Sequence, residues 1–270
     1  MLDSFRNKCF NEDVLEVLRR LPPESIDMIF GDPDYNVGID YSGKNYTMKW
    51  ESYIDWYIEL TTECMRVLKP SGNLFMMNYP KQNAWLRCKH LDDAAYWVGD
   101  YVWIYNTNIG TSPKRFTTAH RSILHATKSK DNKFYKDAVA EHYVNQNDKR
   151  IQQRIANGHS GKMPNSWMYY DLVKNVSADK TFHACQIPLL LVERLLKATT
   201  VPGDDVFVLF GGSGNELLLC KQLQRNFISC ELHPEYYAMI QSRLTSGRFT
   251  KYAHGAERMS SFGFAIPLSK

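Results

Sequence analysis

The chain has 270 residues, of which 44% are hydrophobic and 23% charged, and this suits one large α/β core with a small insertion. No stretch reaches the roughly 20 apolar residues that cross a bilayer, and the first residues lack the apolar core of a secretion signal. The six cysteines form no C-x-x-C pair. We therefore expect a cytoplasmic location, no membrane partner, no metal site and no disulfides.

Strand and helix patterns alternate along the chain. We predict strands near residues 26–31, 73–78, 100–106, 121–126, 205–210 and 226–231. We predict helices near residues 52–68, 80–93, 188–199, 215–224 and 234–244. This alternation is typical of a doubly wound, mostly parallel sheet, so the expected fold class is α/β.

An acid, a proline and an aromatic residue follow the first of these strands, in the sequence Asp32-Pro33-Asp34-Tyr35. Asp32 can accept a hydrogen bond from an amino group, Pro33 has no N–H of its own, and Tyr35 can stack on a planar ring. These features suit the recognition of an exocyclic amine on a base. Asp and Pro are also frequent in ordinary turns, so the corner alone leaves both interpretations open.

A basic segment lies between the two halves of the predicted sheet. Residues 107–180 hold thirteen Lys and Arg against six Asp and Glu, whereas the rest of the chain has a net charge of −3. Cations neutralise phosphates, and interleaved Asn, Gln and Arg can contact base edges. We predict a nucleic acid as the partner; a solvated polar loop region is the alternative. The candidate nucleic-acid-binding residues are Lys114, Arg115, Arg121, Lys133, Lys136, Lys149, Arg150 and Arg154.

A glycine-rich turn follows the apolar strand at residues 205–210. Gly211, Gly212 and Gly214 surround Ser213, and the pattern of a helix begins directly afterwards. One strand later Glu231 occupies the position from which an acid can hold ribose hydroxyls. Because a third glycine in the phosphate-binding register is absent, a nucleoside cofactor fits better than a dinucleotide.

Five motifs, in this order, resemble those of the amino-methylating DNA methyltransferases of the permuted (β) class. They are residues 12–18, the corner at 32–36, the helix–turn–strand at 66–75, the segment 183–188 and the glycine turn at 210–214. The resemblance implies a Rossmann-like methyltransferase fold. It further implies a catalytic half at 1–126, a target-recognition insertion at 127–178 and a cofactor-binding half at 179–270.

The resemblance also implies S-adenosylmethionine as cofactor, double-stranded DNA as partner, methyl transfer to the N6 of a flipped-out adenine, and a homodimer. Asp32, Pro33, Asp34 and Tyr35 would be catalytic. The cofactor-binding residues would be Asp13, Asp32, His183, Gln186, Phe210, Gly212, Ser213, Gly214, Asn215 and Glu231. For Asp13 a simple helix-terminal charge is the alternative, and for His183 it is a structural role.

Three residues depart from the motifs: Asp34 replaces a proline, Leu209 stands where the family has Asp-Pro before the Phe, and Ile187 replaces a lysine. The first leaves open a noncatalytic DNA-binding relative. The sequence is also compatible with a cytosine-N4 methyltransferase, with an enzyme acting on structured RNA, and with a nicotinamide-dependent oxidoreductase using the Gly212 turn and Glu231. The oxidoreductase would leave the Asp32 corner without a function.

Overall fold

A computed structural model describes residues 2–41, 43–106, 113–159, 161–173, 181, 183 and 185–247. The strands in these residues are β1 (Lys8–Phe10), β2 (Ile26–Gly31), β3 (Leu68–Asn78), β4 (Trp97–Ile104), β5 (His120–Thr127), β6 (Trp167–Tyr169), β7 (Asp205–Val208) and β8 (Asn226–Cys230). The helices are α1 (Val14–Arg20), α2 (Trp50–Val67), α3 (Pro80–Leu86), α4 (Asp92–Ala94), α5 (Lys149–Ala156), α6 (Leu189–Thr199), α7 (Asn215–Gln222) and α8 (Pro234–Ser246). A π-helical turn (Arg87–Leu91) joins α3 to α4.

All of these strands belong to one sheet with the order β1-β8-β7-β2-β3-β5-β4-β6. Only β5 runs antiparallel to both of its neighbours, β3 and β4; the other pairs are parallel. Every residue of β2 is buried, as expected for a central parallel strand covered on both faces. The predicted α/β fold with a mostly parallel sheet is confirmed.

The two faces of the sheet carry separate apolar cores. Successive side chains of a strand point to opposite faces, so Ile29 packs with Tyr57 and Leu60 of α2, whereas Phe30 packs with Leu195 of α6. Helices therefore cover both faces. The sheet is held as a rigid platform, and its strand ends carry the loops.

Several element boundaries differ from the predictions. The three-residue strands β1 and β6 and the helix α1 are absent from the predicted set, and β3 begins at Leu68 rather than near residue 73. The register of β3 against β2 shifts between the pairs Ile26–Leu68 and Met28–Asn73. This irregularity accommodates Pro70, which sequence patterns would place in a loop.

The amino-terminal edge of the sheet is closed by an ion-pair cluster. Asp27 of β2 is 2% exposed, and its two carboxylate oxygens lie 2.8 Å from Lys133 Nζ and 2.6 Å from Lys69 Nζ. Lys133 also lies 2.8 Å from Asp204, just before β7. Burial alone would raise the pKa of Asp27, but hydrogen bonds from the two lysines outweigh it and lower the pKa.

Two of the predicted DNA contacts lie at this edge, and their binding to DNA stays a prediction. The charge of Lys133 is neutralised by Asp27 and Asp204. Lys136 begins a 3-10 turn at Lys136–Ala138, and the Tyr135 amide just before it donates to the carbonyl of Ala198, near the end of α6, at 2.6 Å. Both lysines lie at the amino-terminal edge of the sheet. None of the helices in the described segments is both long and apolar enough to cross a membrane.

Candidate active site

Both sequence corners lie at the carboxyl edge of the sheet. β2 and β7 are parallel neighbours with Phe30 opposite Val208, so their following loops leave the sheet side by side. The Leu209 amide donates to the Phe30 carbonyl at 2.9 Å. A cavity of about 240 Å³ lies between the two loops and is lined by residues of both. The arrangement matches the rule that ligands bind at the carboxyl ends of strands in open α/β sheets.

The backbone of the acidic corner is held by two helices behind it. Tyr53 of α2 donates its hydroxyl to the Asp34 carbonyl at 2.8 Å, and Asn78 donates to the same hydroxyl oxygen at 2.9 Å. Gln82 of α3 donates to the Tyr35 carbonyl at 2.6 Å. The corner is therefore fixed before any ligand arrives, which is what precise positioning of a reacting amine needs.

Asp32 and Tyr35 form a hydrogen-bonded pair in the cavity wall. The Tyr35 hydroxyl donates to the Asp32 carboxylate, and the Tyr35 ring packs edge-on against Tyr79 with centroids 5.2 Å apart. Burial raises the pKa of Asp32 to about 7, although the Tyr35 bond and the charge of Arg121 both act to lower it. The carboxylate thus changes charge near neutral pH.

Asp34 completes a turn of its own. Its Oδ1 accepts from the Asn36 amide at 2.8 Å, and Asn36 has φ 58°, a left-handed conformation that Asn tolerates. This Asx-type bond explains how an acid can stand where the family has proline. The other oxygen, Oδ2, is buried without a hydrogen bond of good geometry in the described part of the chain. Burial raises the pKa of Asp34, and the Asn36 bond and the nearby Tyr41 hydroxyl offset part of this.

The glycine turn uses residues that have no side chain. Gly212 and Gly214 have φ 51° and 74°, and Gly214 is the residue that precedes α7. A Cβ on Gly211 would lie 2.7 Å from Ile240 Cδ1, and a Cβ on Gly212 would lie 3.3 Å from His183 Nε2. The positive φ angles and the close neighbours favour glycine along this path, and the turn leaves a backbone surface open to the cavity.

Glu231 joins this turn to the next strand. One oxygen accepts from the Gly212 amide at 2.9 Å, and the other accepts from the His233 amide at 2.8 Å. Burial raises the pKa of Glu231, and the backbone bonds partly counteract it. After the neighbouring strand β1, Asp13 caps α1 by accepting from the Leu15 amide at 2.8 Å. Asp13 also lines the cavity, so the cap and the proposed cofactor contact can coexist.

The structure brings most of the predicted cofactor residues together and leaves out two. The cavity wall includes Asp13, Asp32, His183, Gln186, Phe210, Gly212, Ser213 and Glu231. Gly214 and Asn215 do not line it: a Cβ on Gly214 would lie 3.1 Å from Ile240, and Asn215 accepts from Arg243. Pro188, expected in the first turn of a helix, instead immediately precedes α6.

The cavity wall also contains residues that the motifs did not predict. Tyr41, Tyr46 and Met48 come from the loop between β2 and α2, and Glu216 and His233 come from the starts of two helices. Asn36 ties this loop by bonding both the amide and the carbonyl of Met48. Tyr41 and Tyr46, two aromatic residues in the otherwise mostly polar stretch after the acidic corner, were the available signal for the loop.

The remaining predicted DNA contacts fall into two groups. Arg121 of β5 is partly buried beside the acidic corner, with its guanidinium carbon 3.8 Å from the Tyr79 ring centroid and 5.3 Å from that of Tyr35. It also donates to the Tyr105 hydroxyl. The exposed group comprises Lys114, Arg115, Lys149, Arg150 and Arg154.

The fold and the cavity define a Rossmann-like methyltransferase. The chain belongs to the DNA methylase family of the N6/N4 type, whose profile matches residues 26–242. It is 29% identical over 239 residues to DNA adenine methyltransferase YhdJ of Escherichia coli (strain K12), covering 86% of this chain and 80% of that protein. It is also 29% identical over 252 residues to type II methyltransferase M.HpaI of Haemophilus parainfluenzae, covering 92% and 76%.

Solved structures share the fold at lower identity. The PvuII DNA methyltransferase, described as cytosine-N4-specific, aligns with a TM-score of 0.65 and 20% identity, over 88% of this chain and 92% of that one. The M1.HpyAVI–SAM complex aligns with a TM-score of 0.56 and 23% identity, over 87% and 98%. Family membership excludes the nicotinamide-dependent oxidoreductase.

Proposed function

We propose that this DNA methylase transfers a methyl group from S-adenosylmethionine to the N6 of an adenine that is flipped out of duplex DNA. One observation carries the proposal: the Asp32 corner and the Gly212 turn share one cavity. A base entering from the acidic side would therefore meet a cofactor held on the glycine side. The adenine specificity named for YhdJ supports N6 over N4.

The cavity fits the proposed cofactor. A Cβ on Gly212 would crowd His183 in the cavity wall, and the buried His233 Nδ1 in the same wall has no hydrogen-bond partner among the described residues. Glu231 would hold the ribose hydroxyls, and Asp13 would accept from the adenine amine. When bound, the cofactor supplies a methyl group on a positively charged sulfur.

The residues of the acidic corner position the target amine. Its lone pair is delocalised into the base ring, so the amine is a poor nucleophile. Hydrogen bonds from the amine to the Asp32 carboxylate and the Pro33 carbonyl would favour a more tetrahedral nitrogen, with its lone pair directed at the methyl group. Tyr35 would stack on the base. Transfer would leave a neutral thioether and a positively charged methylated amine, which would release its proton to the Asp32 carboxylate or to solvent, so no strong base is required before transfer.

The basic surface would compensate for opening the duplex. Flipping a nucleotide costs a few kcal/mol of unstacking, and contacts from cations to phosphates release counterions. Exposed Lys114, Arg115, Lys149, Arg150 and Arg154 are suited to this role. Arg121 lies at the acidic corner, where it can contact the backbone of the extruded nucleotide. A homodimer is also proposed, on family resemblance alone.

The test is incubation of the protein with labelled S-adenosylmethionine and unmethylated genomic DNA, followed by separation of the nucleosides. We expect labelled N6-methyladenine. The variant Asp32→Asn should lose the label, and Asp93→Asn, a change at an exposed acid on α4, should keep it. N4-methylcytosine as the labelled product would overturn the adenine assignment. Sequence-selective DNA binding without any incorporation would indicate the noncatalytic relative.

A further inference from the structure

Glu216 is a buried carboxylate in the cavity wall that neither the sequence motifs nor the mechanism uses. It is the second residue of α7, directly behind the glycine turn, and it is 6% exposed. Within the described residues, no ion pair and no hydrogen bond to another residue involves its side chain. Burying an acid without a partner costs free energy, so a ligand is the natural source of compensation.

The nearby cation is already engaged. Arg243 of α8 donates to the Ser213 carbonyl and to Asn215 Oδ1, so it supports the glycine turn. Burial raises the pKa of Glu216 to about 7, the charge of Asp32 adds to this, and the charge of Arg243 acts against it. When both are ionised, Glu216 and Asp32 therefore repel each other across the same cavity.

The cavity is acidic in a basic protein. The chain has a net charge of +4, yet no lysine or arginine is among the described residues that line this cavity. Six carboxylates do line it: Glu12, Asp13, Asp32, Asp34, Glu216 and Glu231. Such a site favours a cationic ligand.

We propose that Glu216, together with Asp32, makes the site prefer the positively charged sulfonium cofactor over its neutral thioether product, S-adenosylhomocysteine. The inference rests on the cofactor assignment above. The two molecules share the adenosine and the amino-acid group and differ in one methyl group and one positive charge. A buried negative charge beside the sulfur would therefore attract the sulfonium compound and not the thioether. The preference would limit inhibition by the product.

The experiment measures binding of S-adenosylmethionine and of S-adenosylhomocysteine by calorimetry at pH 8.5 without DNA. For Glu216→Gln we expect the ratio of the two affinities to fall about three- to tenfold, mainly through weaker binding of the sulfonium compound. Glu235→Gln, the same change at an exposed residue of α8, should keep the ratio of the wild type.

The binding experiment has three other possible outcomes. An equal loss of affinity for both compounds would show that Glu216 contacts a group that they share. Two unchanged affinities would show that it contacts neither compound. Both results overturn the proposal. Failure of the wild type to bind S-adenosylmethionine would instead contradict the proposed function. These failures are distinguishable because the second appears without any substitution at Glu216.

A pH series keeps the proposal falsifiable if Glu216→Gln does not fold. The titratable groups facing Glu216 are Asp32 across the cavity, Arg243 from α8 and Cys220 one turn along α7. In an Asp32→Asn background, the preference for the sulfonium compound should still increase with pH, with its midpoint lower than in the wild type because the charge of Asp32 is gone. A flat profile in that background would overturn the proposal.

Discussion

Two aspartates at opposite ends of β2 show how one sheet separates stability from function. Asp27 at the amino-terminal edge bonds to two lysines, and its pKa is lowered. Asp32, five residues later and roughly 16 Å away along the strand, bonds to one tyrosine, and burial raises its pKa to about 7. One carboxylate is satisfied by the protein itself. The other is held in an unfavourable state that a ligand can relieve, as is common at functional sites.

The largest expected effect is on methyl transfer. Asp32→Asn keeps the shape of the side chain but removes the charge that would accept from the target amine. We expect the rate of incorporation to fall by about 100-fold or more, with the free energy of unfolding increased at neutral pH because a buried ionisable group is removed. Single-turnover assays with labelled cofactor measure the first quantity, and urea denaturation measures the second. A fully active Asp32→Asn variant would contradict the assignment of the corner.

Asp27→Asn should show the opposite behaviour. The substitution leaves Lys69 and Lys133 without their shared partner at the base of β2, and we expect the free energy of unfolding to fall by about 2 kcal/mol. Below the new melting temperature, the activity per folded molecule should stay near that of the wild type. Urea denaturation and activity at low temperature check this pair of results. A loss of activity without a loss of stability would contradict the view that Asp27 serves stability and Asp32 serves methyl transfer.

The two aspartates should also affect the pH dependence of stability in opposite directions. In the unfolded chain Asp32 and Glu216 release their protons near their ordinary pKa values, whereas in the folded, cofactor-free protein they hold them until about pH 7. Unfolding between about pH 4 and 7 therefore releases protons, and the free energy of unfolding falls as the pH rises through this window.

Denaturation at several pH values, compared between the wild type and Asp32→Asn, tests this sign. In the variant, we expect the free energy of unfolding to fall less steeply with pH than in the wild type, by about 1 kcal/mol per pH unit where the difference is largest. The lowered pKa of Asp27 acts in the other sense, because its stabilisation is present above its unfolded pKa and is lost at more acidic pH. A stability that rises between pH 5 and 7 by the same amount in both proteins would contradict the account of Asp32.

Local patterns in the sequence were sufficient to place the two corners at one edge of the sheet. β2 and β7 are apolar runs followed by turn residues, and a parallel arrangement brings their ends together. The pairing of Lys133 could not be read in the same way, because its partner Asp27 lies 106 positions earlier. The strands β1 and β6 are three residues long, which is too short for a period to show.

Burial explains the residue that the motifs missed. An acid in the first turn of a helix usually faces solvent and stabilises the helix dipole, so Glu216 had an adequate local explanation. Only the packing of α7 and α8 around the glycine turn puts its carboxylate in the cavity wall. The same reasoning applies to Arg121, whose stacking on Tyr79 depends on the pairing of β5 with β3.

The smallest expected effect concerns DNA affinity, and it compares two lysines from the same basic segment. Lys149 begins the exposed helix α5, whereas Lys133 is held by Asp27 and Asp204. If Lys149 contacts a phosphate, Lys149→Ala should weaken DNA binding a few-fold and reduce the slope of log affinity against log salt by about 1. Lys133→Ala should lower stability and leave that slope unchanged, because its charge is already neutralised. Titrations of a labelled duplex at several salt concentrations measure both slopes. A reduced slope for Lys133→Ala alone would place the DNA at the amino-terminal edge of the sheet, away from the cavity.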